Sequence, residues 1–167
     1  MQSEYICPDC GKSHAGLPTD WGYKLPDEAW AIPEPEREKQ VKSTSDLCEF
    51  KDRFFIRGLL PVPFNTGEGY FGWGIWAEVS RPVFQRYLSI YKVDASAEPE
   101  VEGSIANEIP GYGKVLGEKI RIRFGTSSQR PTFYLLAESH LQIAQEQRQG
   151  IGSFRYHEIL GQVGYEP

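Results

Sequence analysis

Long apolar runs are missing from this 167-residue chain. No stretch approaches the roughly 18 consecutive apolar residues of a membrane span, so no membrane role is expected. The opening residues Met1–Cys10 lack an apolar h-region, which argues against a secretory signal and for a cytoplasmic protein. Cysteine is scarce and odd in number, at 3. That count argues against a disulfide framework and toward metal or redox chemistry. Positive charge is in deficit: 18 Lys plus Arg stand against 23 Asp plus Glu, a net charge of -5. A mildly acidic chain is a poor general binder of nucleic acid. The same balance suits a basic protein partner, as in a toxin-neutralising immunity protein. Enzyme signatures are absent as well: no GxSxG elbow, no phosphate-binding glycine loop ending in Lys-Ser/Thr, no HExxH and no dinucleotide glycine fingerprint. A binding role is therefore expected ahead of a catalytic one.

What is present supports a folded domain. Hydrophobic residues make up 40% and charged residues 25%, enough for a packed core. With 17 Gly and 12 Pro, short elements and many turns are expected. Residues 1–45 have little periodicity, apart from a short exposed helix at Glu34–Lys39, and read as an arm packed on a main domain at 46–167. Leu47–Phe50 and Arg53–Leu60 flank Lys51-Asp52 as a hairpin, with Pro61 and Pro63 ending the second strand or confining it to an edge. In Tyr70–Val79, Phe71, Trp73, Ile75, Ala77 and Val79 share one face, and Tyr70, Gly72, Gly74, Trp76 and Glu78 the other.

Ser80 is a candidate N-cap for a helix carrying Phe84, Tyr87, Leu88 and Tyr91 on one side. Strands are expected at Val101–Ile105, Lys119–Phe124 and Thr132–Leu136. Ser139-His140-Leu141-Gln142 has the form of a capping box opening a helix that stops at Gly150, with a last short helix at Phe154–Leu160. The expected class is α+β: a mostly antiparallel sheet of about five strands, two or three helices and an N-terminal zinc-knuckle-like arm.

Cys7-Pro8-Asp9-Cys10-Gly11 is the sharpest local signal. Two thiolates separated by two residues can grip one metal across a tight turn, and Gly11 lets the chain bend away. The stretch from Gly11 to Pro18 has two glycines and a proline and no helical periodicity. That places a redox role, which wants a helix after the pair, below metal binding. His14 and Cys48 would complete a closed Cys₃His tetrahedron of the kind that holds structural zinc. His140 or His157 could stand in for His14, and Cys48 could instead be a buried small hydrophobe.

The Gly72/Gly74 face leaves a trough between Tyr70 and Trp76, open to a ligand unless another part of the chain fills it. Arg57, Glu78, Arg121, Arg123, Arg130 and His140 could cluster over the sheet beside Trp76, a setting for a small anion or a carboxylate-bearing peptide. Trp73, on the opposite face of the same strand, is a further candidate contact. An enzyme or small-anion binder using the Arg57, Trp76 and His140 face is thus the alternative to an interaction module.

Several of these segments recur as a set: Cys7-x-x-Cys10-Gly11-x-x-His14, Leu17-Pro18, Ser45-Asp46-Leu47-Cys48, Phe54-Phe55-Ile56-Arg57-Gly58, Leu60-Pro61-Val62-Pro63, Phe71-Gly72-Trp73-Gly74-Ile75-Trp76, Arg130-Pro131, His140-Leu141 and Gln147-Arg148-x-Gly150-Ile151. Together they make the chain resemble the uncharacterised bacterial family catalogued as domain of unknown function 2199. The resemblance implies a small bacterial cytoplasmic protein and brings no established activity. It groups Cys7, Cys10, His14 and Cys48 as motif positions, in agreement with the spacing.

Overall fold

Two stretches in which inward and outward side chains alternate, 53–63 and 70–79, build the two longest strands. The structure, a computed structural model, describes residues 18–164. Its elements run β1 (Asp20–Gly22), α1 (Asp27–Trp30), α2 (Glu36–Gln40), β2 (Lys42–Ser43), β3 (Leu47–Phe50), β4 (Arg53–Pro63), β5 (Tyr70–Val79), α3 (Arg81–Ile90), β6 (Val101–Ile105), β7 (Lys119–Arg123), β8 (Thr132–Leu135), α4 (Gln142–Gln149) and α5 (Ser153–Gln162). The long hairpin β4–β5 pairs in one register from Phe54↔Val79 to Pro63↔Tyr70. Antiparallel pairing then continues from β5 to β6, β7 and β8. A parallel contact at Leu59↔Thr132 joins β8 back to β4. The five strands β4 to β8 thereby close a barrel, while β1 lies parallel to β5 and β3 and β2 extend the sheet beyond β4. The mixed α+β class stands; the single sheet of about five strands is replaced by a closed barrel within an eight-stranded system. Among the described residues no helix is long and apolar enough to cross a membrane.

The pleat sorts side chains into two cores. Phe54, Ile56, Leu60 and Val62 of β4, with Phe71, Trp73, Ile75 and Ala77 of β5, point into the barrel and meet Ile120, Ile122, Phe133 and Leu135. α3, α4 and α5 add Phe84 and Tyr87, Ile143, and Ile159 and Leu160 to this core. Gly58 also faces inward. A Cβ there would lie 2.3 Å from the Phe133 ring, so the missing side chain is the space that ring occupies. The outward residues Phe55, Trp76, Cys48 and Phe50 form a second core, covered by Ala29 and Ala106 and flanked by Tyr23, Leu25, Ile32 and Val41. Asn107, fully buried, fastens this cover. Its Oδ1 accepts from Trp76 N (2.8 Å), and its Nδ2 donates to Leu25 O (3.0 Å) and Asp27 Oδ1 (2.8 Å).

The prolines of β4 do not end the strand. Amides at odd positions face away from β5: Arg57 N donates to Asp46 O and Leu59 N to Pro131 O. Pro61 and Pro63 share that parity and cost the β5 ladder no hydrogen bond. Their carbonyls are taken where β8 has diverged. Ile151 N donates to Pro63 O at 2.8 Å, and Gln147 Nε2 donates to Pro61 O at 3.2 Å. The same Gln147 amide donates to Phe133 O (2.9 Å) and accepts from Leu135 N (2.9 Å). One side chain thus acts as a peptide group bridging the seam between β4 and β8.

Lys51 and Asp52 both adopt left-handed conformations, as a two-residue hairpin turn requires. Ser80 Oγ accepts from Val83 N at 3.3 Å, confirming the α3 cap. On α3 the buried residues are Phe84, Tyr87 and Ile90, whereas Leu88 and Tyr91 lie at the surface. The expected capping box at Ser139 does not form. α4 starts at Gln142 with Leu141 as N-cap, because half-buried Leu141 packs on the main core and fixes the entry of the chain.

Candidate functional site

The chain leaves α3 and returns through residues 124–131 beside the outer face of β4, and an open cleft of about 710 Å³ lies between them. Tyr87, Ile90, Tyr91 and Val93 line its helical side, Gly125–Gln129 its loop side, and Leu59, Pro61, Tyr70 and Tyr134 its floor and far rim. Tyr70, Tyr91 and Val93 stand exposed at its edges, with Leu88 exposed on the same helix. Exposed apolar residues grouped around a concavity are the usual mark of a contact surface.

A charged cluster sits at one wall. Asp46 Oδ1 accepts from Arg130 Nε at 2.7 Å. Asp46 Oδ2 accepts from the Tyr91 hydroxyl and from Ser45 Oγ. Burial alone would raise this carboxyl, but the hydrogen bonds from Arg130 and Tyr91 outweigh it and hold Asp46 below the usual carboxylate range. Arg57 neighbours the cluster: its N donates to Asp46 O, and it shares the outer face of β4 with Leu59 on the cleft floor. Burial, then the like charge of Arg130, lowers the Arg57 guanidinium against the pull of Asp46. Arg57 Nε is buried and has no acceptor among the described residues.

Past Pro61 and Tyr134 a second recess of about 270 Å³ continues to Arg121 and Arg148. Arg121 and Arg123 lie over the Tyr134 ring at 5.7 and 5.6 Å and share Glu100 as their carboxylate. Among the described residues neither histidine nor cysteine lines either recess. The described lining is suited to recognition by charge, hydroxyl and aromatic contact.

The remaining expected site residues are dispersed. Trp73 is fully buried inside the barrel and Trp76 fully buried in the outer core, its Nε1 donating to Tyr23 O at 3.0 Å. The trough is filled from within. A Cβ at Gly74 would meet the Gly22 backbone at 3.3 Å and Arg57 Nη2 at 3.4 Å, and one at Gly72 would meet Leu59 Cδ1 at 2.7 Å. The occupants are β1 and neighbouring side chains, so another part of the chain fills the trough. Glu78 is bidentate with Arg53, at 2.8 and 2.7 Å. His140 is exposed and lines a separate depression with Lys119 and Glu138. Of the expected set, Arg130 and Tyr70 therefore line the cleft, and Arg57 does not: its Nη2 is turned to the trough at Gly22 and Gly74. Asp46, Tyr91 and Tyr134 also line the cleft and were not singled out as site residues. Asp46 sits in the motif Ser45-Asp46-Leu47-Cys48, and its Ser-Asp turn just ahead of a strand is the signal that could have found it.

Cys48 is buried in the outer core, where desolvation, and then the charge of Glu49, pushes its thiol up to about 12. Cys7, Cys10 and His14 lie outside the described residues. Among the described residues no three His, Cys, Asp or Glu side chains converge as a metal site. The donor set itself, three sulfurs and an imidazole, is one that tetrahedral zinc takes, and zinc would supply the counter-charge that an ionised Cys48 lacks in apolar surroundings.

No curated protein and no solved structure matches the chain. A family model does match, over residues 6–151, and by that match the chain belongs to the family described as uncharacterized protein conserved in bacteria, DUF2199.

Proposed function

We propose that this chain is a cytoplasmic interaction module that holds a polypeptide partner in the cleft between α3 and the 125–130 loop. Zinc bound by Cys7, Cys10, His14 and Cys48 fastens the N-terminal arm and has no catalytic part. The observation that supports the reading is the cleft itself: concave and edged by exposed Tyr70, Tyr91 and Val93. A closed four-ligand zinc site offers no open position to a substrate, which fits a structural metal. The net charge of -5 suits a basic partner, and the charged residues described along the cleft, Asp46 and Arg130, are paired with each other.

A photo-reactive phenylalanine analogue at Val93, introduced in bacterial cells, tests the cleft. One discrete adduct is expected, lost with Tyr91→Ala, and none from the same group at Glu102, which lies outside the cleft. Equal labelling from both positions would refute the reading. Elemental analysis tests the metal: close to one zinc per chain is expected, with Cys7→Ser lowering both metal content and Tm. Metal-free protein with Cys7→Ser stability unchanged would remove zinc from the account.

A further inference from the structure

We propose that the recess next to the cleft, lined by Arg121 and Arg148, binds an acidic side chain of the partner polypeptide. The inference rests on the cleft being the partner site and adds the residue that anchors the chain at its far end.

The two recesses are continuous, because Pro61 and Tyr134 line both. An extended chain that leaves the cleft over Tyr134 therefore enters the second recess, of about 270 Å³. Its described lining holds two arginines and no carboxylate. Arg148 donates from Nη1 to Ala137 O (3.4 Å) and from Nη2 to Ser139 O (3.0 Å). Those acceptors are neutral carbonyls. They hold the guanidinium in place without cancelling its charge, and Arg148 has no ion pair among the described residues. Arg121 spends one N–H on Glu100 (2.9 Å), a carboxylate that Arg123 also uses (3.0 Å). Three guanidinium groups on this side of Tyr134 are thus set against one carboxylate.

A second carboxylate is the group this arrangement lacks. It would accept from the N–H groups that Arg121 and Arg148 leave unused, by the charge-assisted contact that Arg geometry favours. Pro61, Pro63 and Ala137 offer an apolar wall to the methylene stem of an incoming Glu. The pocket at Arg53 shows the contrast: there Glu28 and Glu78 already take the guanidinium. The net charge of -5 acts over the whole surface and disfavours nucleic acid, whereas the recess reads one side chain.

Phage display of random dodecapeptides against the full chain tests this, followed by fluorescence anisotropy with a labelled synthetic copy of the selected peptide. Selected peptides are expected to share one Asp or Glu beside an apolar run. Exchanging that acid for its amide should weaken binding at least about tenfold, the effect of losing one charge-assisted contact. Arg121→Met and Arg148→Met should each weaken the acidic peptide to a similar extent and leave the amide version unchanged. A folding defect would weaken both peptides alike, so the difference isolates the charge. Selected peptides without a shared acid, an amide version that binds equally well, or an acidic peptide indifferent to both arginine variants overturns the inference. Inorganic phosphate or oligothymidylate that binds more tightly than the peptide and needs both arginines overturns it in favour of phosphate. Val93→Glu separates the two levels. Binding that needs Val93 but neither arginine keeps the cleft and removes the acidic anchor. Binding that needs both arginines but not Val93 keeps the anchor and removes the cleft. If no peptide is selected, both fall.

Discussion

Gln147 offers a direct test of how the barrel closes. Its amide makes three hydrogen bonds across the seam, to Leu135 N, Phe133 O and Pro61 O. Replacement by Ala leaves one N–H and two carbonyls without their partner. At a net value of about 1 kcal/mol for each bond, partly offset by water entering a half-buried site, the loss should be about 2–3 kcal/mol. For a chain of this size that corresponds to a fall in Tm of about 5–10 °C. Gln147→Glu sharpens the test because its shape is conserved. The carboxylate can still accept from Leu135 N but faces the Phe133 and Pro61 carbonyl oxygens. Its folded-state pKa should rise above the unfolded value, so the stability lost at neutral pH should return as pH falls through that raised value. Urea unfolding at pH about 5 and about 8 measures both effects. A Gln147→Ala protein within about 0.5 kcal/mol of the parent, or a Gln147→Glu protein whose stability ignores pH, would refute the account of the seam.

Three further outcomes follow from the packing. Asn107→Ala should cost about 3 kcal/mol by urea titration, since Trp76 N, Leu25 O and Asp27 all lose a buried partner. Gly58→Ala forces a methyl group to 2.3 Å from the Phe133 ring and 2.7 Å from Pro131 O, and should lower stability by about 3 kcal/mol or abolish soluble expression. Conversely, Lys51→Asn combined with Asp52→Gly should raise Tm by a few degrees, because both positions have positive φ (51° and 57°) that an Asn-Gly pair adopts at lower cost.

Local features were legible in the sequence because they obey local rules. Alternation located β5, the tight turn at Lys51-Asp52 located β3 and β4, and Ser80 marked the start of α3. The barrel was not legible, because closure depends on β8 meeting β4 across some seventy intervening residues through one strand contact and one glutamine side chain. Trp76 illustrates the same limit. Its outward position on β5 was read correctly, yet its burial depends on Ala29, Asn107 and neighbours contributed by short segments with no periodicity to announce them. The site suffered likewise. Arg57 and Arg130 were identifiable as residue types, but their companion Asp46 comes from the turn before β3 and Tyr91 from just past the end of α3. Tyr91 was expected to point inward with Tyr87. Instead Ile90 takes the buried place, and the hydroxyl that remains outside binds Asp46.

The two cores lie back to back on one strand, and that arrangement equips the molecule with its own pair of optical reporters. Among the described residues Trp73 packs in the barrel interior, whereas Trp76 packs beneath the layer that residues 23–41 and 106–107 lay over the strands. With the exposed Trp21 and Trp30 changed to Phe, a shift in emission from Trp76 that precedes any change at Trp73 would record the outer layer lifting as a separate cooperative unit. Simultaneous shifts would mean that covering and barrel melt as one.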